Sequence, residues 1–143
     1  MSICYRNPEL CARLSPTWNL SPKSYGRYFH VYHSTDMAAM RESAVGEQRW
    51  KGPERERWCR EVAIINVPQR ECQLEEVFRL TNHIEGNWTH HREVVWVEVC
   101  GQVRSTSVGD VVLSLLSGTA WIVKNMGFQV IEQGGEEKRA HPP

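Results

Sequence analysis

Apolar positions along the chain fall into short runs whose period changes from two to about 3.6 and back. Tyr28-Phe29-His30-Val31-Tyr32-His33 is dense in β-formers and predicts a strand. Ser34-Thr35-Asp36 then supplies N-cap residues, Met37, Met40 and Ala44 recur at helical spacing, and Gly46 suits a helix stop. The polar segment Arg49–Arg60 contains Gly-Pro and reads as a loop with at most a helical turn. Glu61–Val67 is nearly all apolar and ends at Pro68, the pattern of a strand covered on both faces. Gln73–Asn82 is the clearest helix, with Leu74, Val77 and Phe78 on one stripe that Thr81 extends. Its Glu75 and Arg79 stand at i, i+4, acid first.

Further strands are predicted at Val94–Cys100, Asp110–Leu116, Ala120–Lys124 and Phe128–Ile131, with turns at Ser117-Gly118-Thr119 and Asn125-Met126-Gly127. The order β-α-β-α-β-β-β-β predicts an α+β fold, a mainly antiparallel sheet of about six strands with two short helices. The 143 residues suit one domain. Its expected body is 27–132, after an irregular N-terminal arm (1–26) punctuated by Pro8, Pro16, Pro22 and Gly26. The polar stretch 133–143 is expected to be a disordered tail.

Charge narrows the function classes. The 17 basic and 17 acidic residues balance, which argues against a dedicated nucleic-acid binder. Residues 1–70 hold 11 Lys/Arg against 7 Asp/Glu, and 71–143 hold 6 against 10, a mild polarity. No apolar run approaches the ~20 residues of a membrane span, so no membrane partner is expected. Cys4, Cys11, Cys59, Cys72 and Cys100 are odd in number and scattered without a C-x-x-C pair. They predict free thiols rather than a disulfide framework, and with the absence of a signal-like apolar core in MSICYRNPELCARLSP they predict a cytoplasmic setting.

The strongest local pattern is Arg104-Ser105-Thr106-Ser107-Val108-Gly109-Asp110-Val111-Val112. Short side chains at Ser105, Ser107 and Asp110 can bond backbone N–H groups and fix a tight strand-entry corner, with Gly109 free to adopt positive φ. Arg104, Ser105, Ser107 and Asp110, with Trp50 and Trp58, are the expected interaction residues, and Arg104, a long side chain at a turn, is expected to point outward toward a partner. Taken with Leu74-Glu75-Glu76-Val77-Phe78, Asn82, Trp121-Ile122-Val123 and Gly127-Phe128, the corner resembles the YodL-like domain family. The resemblance covers roughly 74–131: Leu74, Glu75, Phe78 and Asn82 match the family's helix signature, Arg104, Ser105, Ser107 and Asp110 its corner, Gly109 stands where it often has Ser, and Gly127 and Phe128 match its closing pair. It implies a small bacterial protein, or a module of larger plasmid- and phage-borne proteins, with no catalytic activity and no cofactor. The expected function is therefore a non-enzymatic module that binds another protein.

Other chemistries fit less well. Ser107 and Gly109 are similar to half of a G-x-S-x-G elbow, but Ser105 takes the first glycine position and a strand follows instead of a helix. His30 and His33 are an odd number apart on a strand and face opposite sides, and His90-His91 sits in a loop beside Glu85 and Glu93. No metal ligand set is predicted. The alternative function is nucleic-acid binding by a PUA-like small domain. It would use the segment Arg49–Arg60, whose five basic residues are interleaved with Trp50 and Trp58 in the manner of single-strand binders. The six Trp suggest that some line a partner-facing surface.

Overall fold

The run Tyr28–Ser34 forms strand β2, and its alternation places Phe29, Val31 and His33 on one face and His30, Tyr32 and Ser34 on the other. In this computed structural model, residues 3–4, 28–67, 72–83, 86–98 and 103–134 are described. Six antiparallel strands make the sheet: β2, β3 (Cys59–Asn66), β4 (Val94–Glu98), β5 (Val111–Ser114), β6 (Ala120–Val123) and β7 (Phe128–Glu132). Their spatial order is β4-β3-β2-β5-β6-β7, and Ile3–Cys4 adds a two-residue strand β1 outside β4. The fold is α+β, as the pattern of runs predicts. Apart from Ile3–Cys4, the expected arm 1–26 lies outside the described residues, as does 135–143 of the expected tail.

Among the described residues four short helices flank the sheet, two of them longer than one turn or so: α1 (Met37–Met40), α2 (Ser43–Lys51), α3 (Arg55–Trp58) and α4 (Gln73–Leu80). Asp36 caps α1 by accepting from the Ala39 N–H at 3.3 Å. Gly46 does not stop a helix. It sits buried inside α2, where a Cβ would lie 2.8 Å from both Ile122 Cδ1 and the Met40 carbonyl oxygen. The residue is glycine because the helix lies against β6, a signal indistinguishable in the sequence from a C-cap. The segment read as a loop from Arg49 is thus mostly helical, ending in α3.

Alternation along the strands divides the core between the two sheet faces. One face packs Phe29, Val31, Ile65, Val97 and Val112 against Val77 and Leu80 of α4 and against Trp88. On the other, Val111, Ala120, Ile122 and Ile131 pack against Met40 of α1 and Trp50 of α2, with Trp58 of α3 at the margin. β3 is covered from both sides between Val62 and Ile65, as its apolar run predicts.

The stripe of α4 is rotated from the expected one. Val77, Leu80 and Thr81 are buried, whereas Leu74 and Phe78 are half-buried at the rim. Arg79 grips Glu76, one turn back at i, i+3, with bonds of 2.7 and 2.9 Å, and Glu75 is exposed. No helix among the described residues is long and apolar enough to cross a membrane. Of the Trp residues described, Trp50, Trp88 and Trp96 are buried and Trp58 and Trp121 half-buried, so none is an exposed partner-facing ring.

Three substitutions test this packing. Gly46→Ala gains about 1 kcal/mol of helix propensity but must displace a backbone carbonyl and a core methyl, an overpacking cost of about 1–3 kcal/mol, so a net loss of stability is expected in urea melts. Leu80→Ala is expected to cost about 2–5 kcal/mol, while Phe78→Ala falls short of the ~3–5 kcal/mol of a fully buried Phe. Equal or inverted losses would return Phe78 to the core.

Candidate interaction surface

Asp110 stands at the entry to β5 and is 0% exposed. Both its oxygens are filled. Oδ1 accepts from the Ser34 N–H at 2.9 Å and from Arg104 Nη2 at 2.7 Å. Oδ2 accepts from the Ser107 N–H at 2.7 Å and from Arg104 Nη1 at 2.6 Å. The bidentate fork matches the planar guanidinium to the carboxylate. Arg104 also donates to the Ser105 and Ser34 carbonyl oxygens at 2.9 and 3.2 Å. It therefore turns inward, contrary to the outward course expected of a long side chain at a turn: a buried carboxylate needs a charged partner, and Arg104 is the one within reach.

The corner is sewn to three neighbours. Ser105 Oγ accepts from the His83 N–H at 2.9 Å, as a short corner side chain should. Thr106 donates its N–H to the Thr81 carbonyl oxygen at 2.9 Å, tying the corner to the end of α4. Trp88 Nε1 donates to the Arg104 carbonyl oxygen at 2.9 Å from full burial. Ser107 contributes its backbone N–H while its side chain is exposed. Gly109 has φ +97°, and a Cβ there would meet the Met37 carbonyl oxygen at 2.7 Å, so α1 rests directly on the corner.

His33 completes the buried cluster. Its Nε2 lies 3.0 Å from Thr106 Oγ1 and 3.9 Å from Asp110 Oδ2. Burial pushes its pKa down from 6.5 to about 4, with Arg104 and Arg60 adding to the effect and Asp110 opposing it. The ring is neutral at pH 7, so its approach to Asp110 is not an ion pair. Burial likewise raises the Cys59 thiol to about 11 and lifts the Tyr32 phenol above its ordinary range. Cys59 and Cys72 are free thiols, while Cys4, Cys11 and Cys100 lie outside the described side chains. His90 is exposed and His91 half-buried, with Glu85 outside the described residues. The described residues hold no cluster of three His, Cys, Asp or Glu placed for a metal ion.

Three of the signature residues, Phe78, Asn82 and Phe128, meet at the end of α4. Asn82 donates its side-chain amide to the Phe78 carbonyl oxygen, closing α4. Phe78 meets Phe128 of β7 edge to face, centroids 6.5 Å apart at 78°. Gly127, φ +85°, closes the β6–β7 turn in which the Lys124 N–H donates to the Gly127 carbonyl oxygen at 3.0 Å. Beyond this contact two apolar side chains are exposed among polar ones, Asn125 and Gln129. Met126 at the hairpin tip is 93% exposed and Val130 on β7 43%, and these are the exposed large hydrophobic residues among those described. Neither was singled out in the sequence, although a Met between Asn125 and Gly127 in a turn was a visible anomaly.

Trp50 and Trp58 serve a different purpose. Trp50 is fully buried, its Nε1 donates to Glu132 Oε1 at 2.8 Å, and Arg55 lies over its ring at 4.0 Å. Trp58 carries Arg49 at 3.7 Å and Arg57 at 4.9 Å. The interleaved cations and rings of 49–60 thus stack on one another and anchor α2 and α3.

Both members of the clamp are expected to be structural. Asp110→Ala strands the Ser34 and Ser107 N–H groups and a guanidinium, costing about 3–5 kcal/mol. Arg104, with 36% of its side chain exposed, is expected to cost about 2 kcal/mol on replacement by Ala, since water takes over part of its role. A melt untouched by Arg104→Ala would contradict the clamp.

His33 makes stability depend on pH. The unfolded ring protonates near 6.5 and the folded one near 4, so the contribution is complete above pH 6.5 and is lost as pH falls toward 4. It amounts to about 3 kcal/mol over that window. The stability difference between wild type and His33→Gln is expected to shift against wild type by that order between pH 7 and 4, and an invariant difference would show the ring to be solvated.

No family model, curated protein or solved structure matches the chain.

Proposed function

We propose that this chain is a non-enzymatic protein-interaction module that engages its partner through the β6–β7 hairpin. The observation that carries the reading is the coincidence of Met126 and Val130, the exposed large hydrophobics among the described residues, on one hairpin at the end of the sheet. Among the described residues β7 ends the strand order, and its outer backbone groups suit pairing with a further strand. An apolar tip and an open edge together suit strand addition by a protein segment. Phe128, half-buried beside Val130, widens the apolar strip toward α4.

Support for a YodL-like relationship comes from the way its signature residues meet. Phe78 against Phe128 joins the helix to the hairpin, the Thr106 N–H on the Thr81 carbonyl oxygen ties the corner to the helix, and Asn82 and the Arg104–Asp110 pair close the helix end and the corner within themselves. In this reading the corner residues Arg104, Ser105, Ser107 and Asp110 build the scaffold, and the hairpin carries the contact. A bacterial, cytoplasmic protein belonging to a mobile-element gene set is the setting the resemblance and the scattered cysteines favour. Nucleic-acid binding draws less support, because Trp50 is enclosed and Trp58 is already stacked with Arg49 and Arg57.

The test is affinity capture by wild type and by a Met126→Ser/Val130→Lys variant, with and without nuclease. Both sites are exposed, so stability is expected to change by no more than about 0.5 kcal/mol per site. Capture of a protein that survives nuclease and weakens about tenfold or more in the variant is the expected outcome. Capture that disappears with nuclease and ignores the two substitutions would favour the segment 49–60 instead.

A further inference from the structure

Away from the hairpin, a cavity of about 600 Å³ opens beside β2, β3 and β4, lined by Tyr32, Cys59, Arg60, Glu61, Trp96 and Glu98 of the strands and by Arg55 and Glu56 of α3. Glu98 is the anomaly in it. The residue is 2% exposed, yet its Oε1 is buried without a hydrogen-bond donor among the described residues. Its other oxygen, Oε2, has Arg60 Nε at 3.8 Å, beyond hydrogen-bond reach. Leaving a buried carboxylate oxygen unmatched opposes folding, and such groups are normally satisfied.

The neighbouring charges do not supply the missing donor. Arg55 is committed elsewhere: its Nε donates to the Trp50 carbonyl oxygen at 2.5 Å, its guanidinium lies over the Trp50 ring, and its Nη2 is 3.6 Å from Glu132. Glu61 pairs with His30. Arg60 is half-exposed at the mouth and holds Glu98 only loosely. Three carboxylates therefore line the cavity against one loosely placed arginine and one committed one, and Tyr32 and Trp96 bring aromatic rings to its wall.

We infer that this cavity binds a small organic cation, a free aliphatic amine whose ammonium takes the place of Arg60 at the Glu98 carboxylate and whose methylene chain lies along Trp96 and Tyr32. The volume is in the range of small-molecule sites, about 300–1,000 Å³. An ammonium supplies what the site lacks, a compact charged donor, and aromatic rings favour its company. Arg60 competes with the ligand for the same carboxylate, so its removal should strengthen binding. The inference is independent of the hairpin and its partner.

Calorimetric titration of the full chain with spermidine and with 1,5-diaminopentane tests it, with 1,5-pentanediol as the uncharged control. Saturable binding of at least one amine, and none of the diol, is expected. Glu98→Gln is expected to weaken amine binding about tenfold or more. The half-exposed Arg60→Ala, which leaves the core untouched, is expected to tighten it severalfold. Should Glu98→Gln fail to fold, Arg60→Ala alone decides. No saturable amine binding to wild type, or affinities indifferent to Arg60→Ala, would overturn the inference.

Discussion

A single buried carboxylate organises the molecule. Burying Asp110 without donors on its oxygens would be costly, and it finds them on Ser34, Ser107 and Arg104. Meeting that requirement brings together the end of β2, the irregular stretch from Val103 to Gly109, and the start of β5. Once Arg104 is drawn in, its carbonyl receives Trp88, and Thr106 reaches both His33 and the end of α4. Gly109 then lets α1 close over the corner. Buried ion pairs add little net stability compared with apolar packing, but breaking one is costly, so the clamp acts to exclude other arrangements of the corner.

The corner's rigidity gives the hairpin its footing. β5 starts from Asp110, β6 pairs with β5, and β7 pairs with β6. α2 supports β7 from behind, where Ser43 Oγ donates to Gln129 Oε1 at 2.7 Å and Trp50 to Glu132. Phe78 of α4 braces it in front through Phe128. Polar contacts thus hold one side of β7, and its apolar residues on the other are left half-covered. A strand fixed in this way loses little freedom on meeting a partner, which is the condition for a modest apolar patch to bind.

Much of the sheet was legible because strand period and turn residues are local signals. β2, β3 and the β5–β6–β7 meander fall within a residue or two of the runs that announce them. Between β2 and β3 the first helix was announced by the Asp36 cap and the spacing of Met37 and Met40, but the run of α2 through Gly46 to Lys51 was not, because Gly46 and Gly52-Pro53 read as breakers and only contact with Ile122 reveals why a glycine belongs in α2. The corner's existence was visible in Arg104–Asp110, but its partners were not. Ser34 and His33 lie more than 70 residues away in sequence, and no pattern in the chain announces a bond across that distance. The direction of Arg104 followed from the burial of Asp110, a property of the fold and not of the motif. Met126 was legible as an odd apolar residue in a turn, and Glu98 as nothing more than an acid in a strand.

The most direct test of the clamp is native-state hydrogen exchange at the Ser107 amide. Its side chain is exposed and it belongs to no strand or helix, yet its N–H is held by Asp110. If Asp110 organises the fold, this amide exchanges only through global opening, as slowly as the amide of Val31 in the centre of the sheet. Exchange at the rate of a solvated loop, with Val31 still protected, would contradict that account.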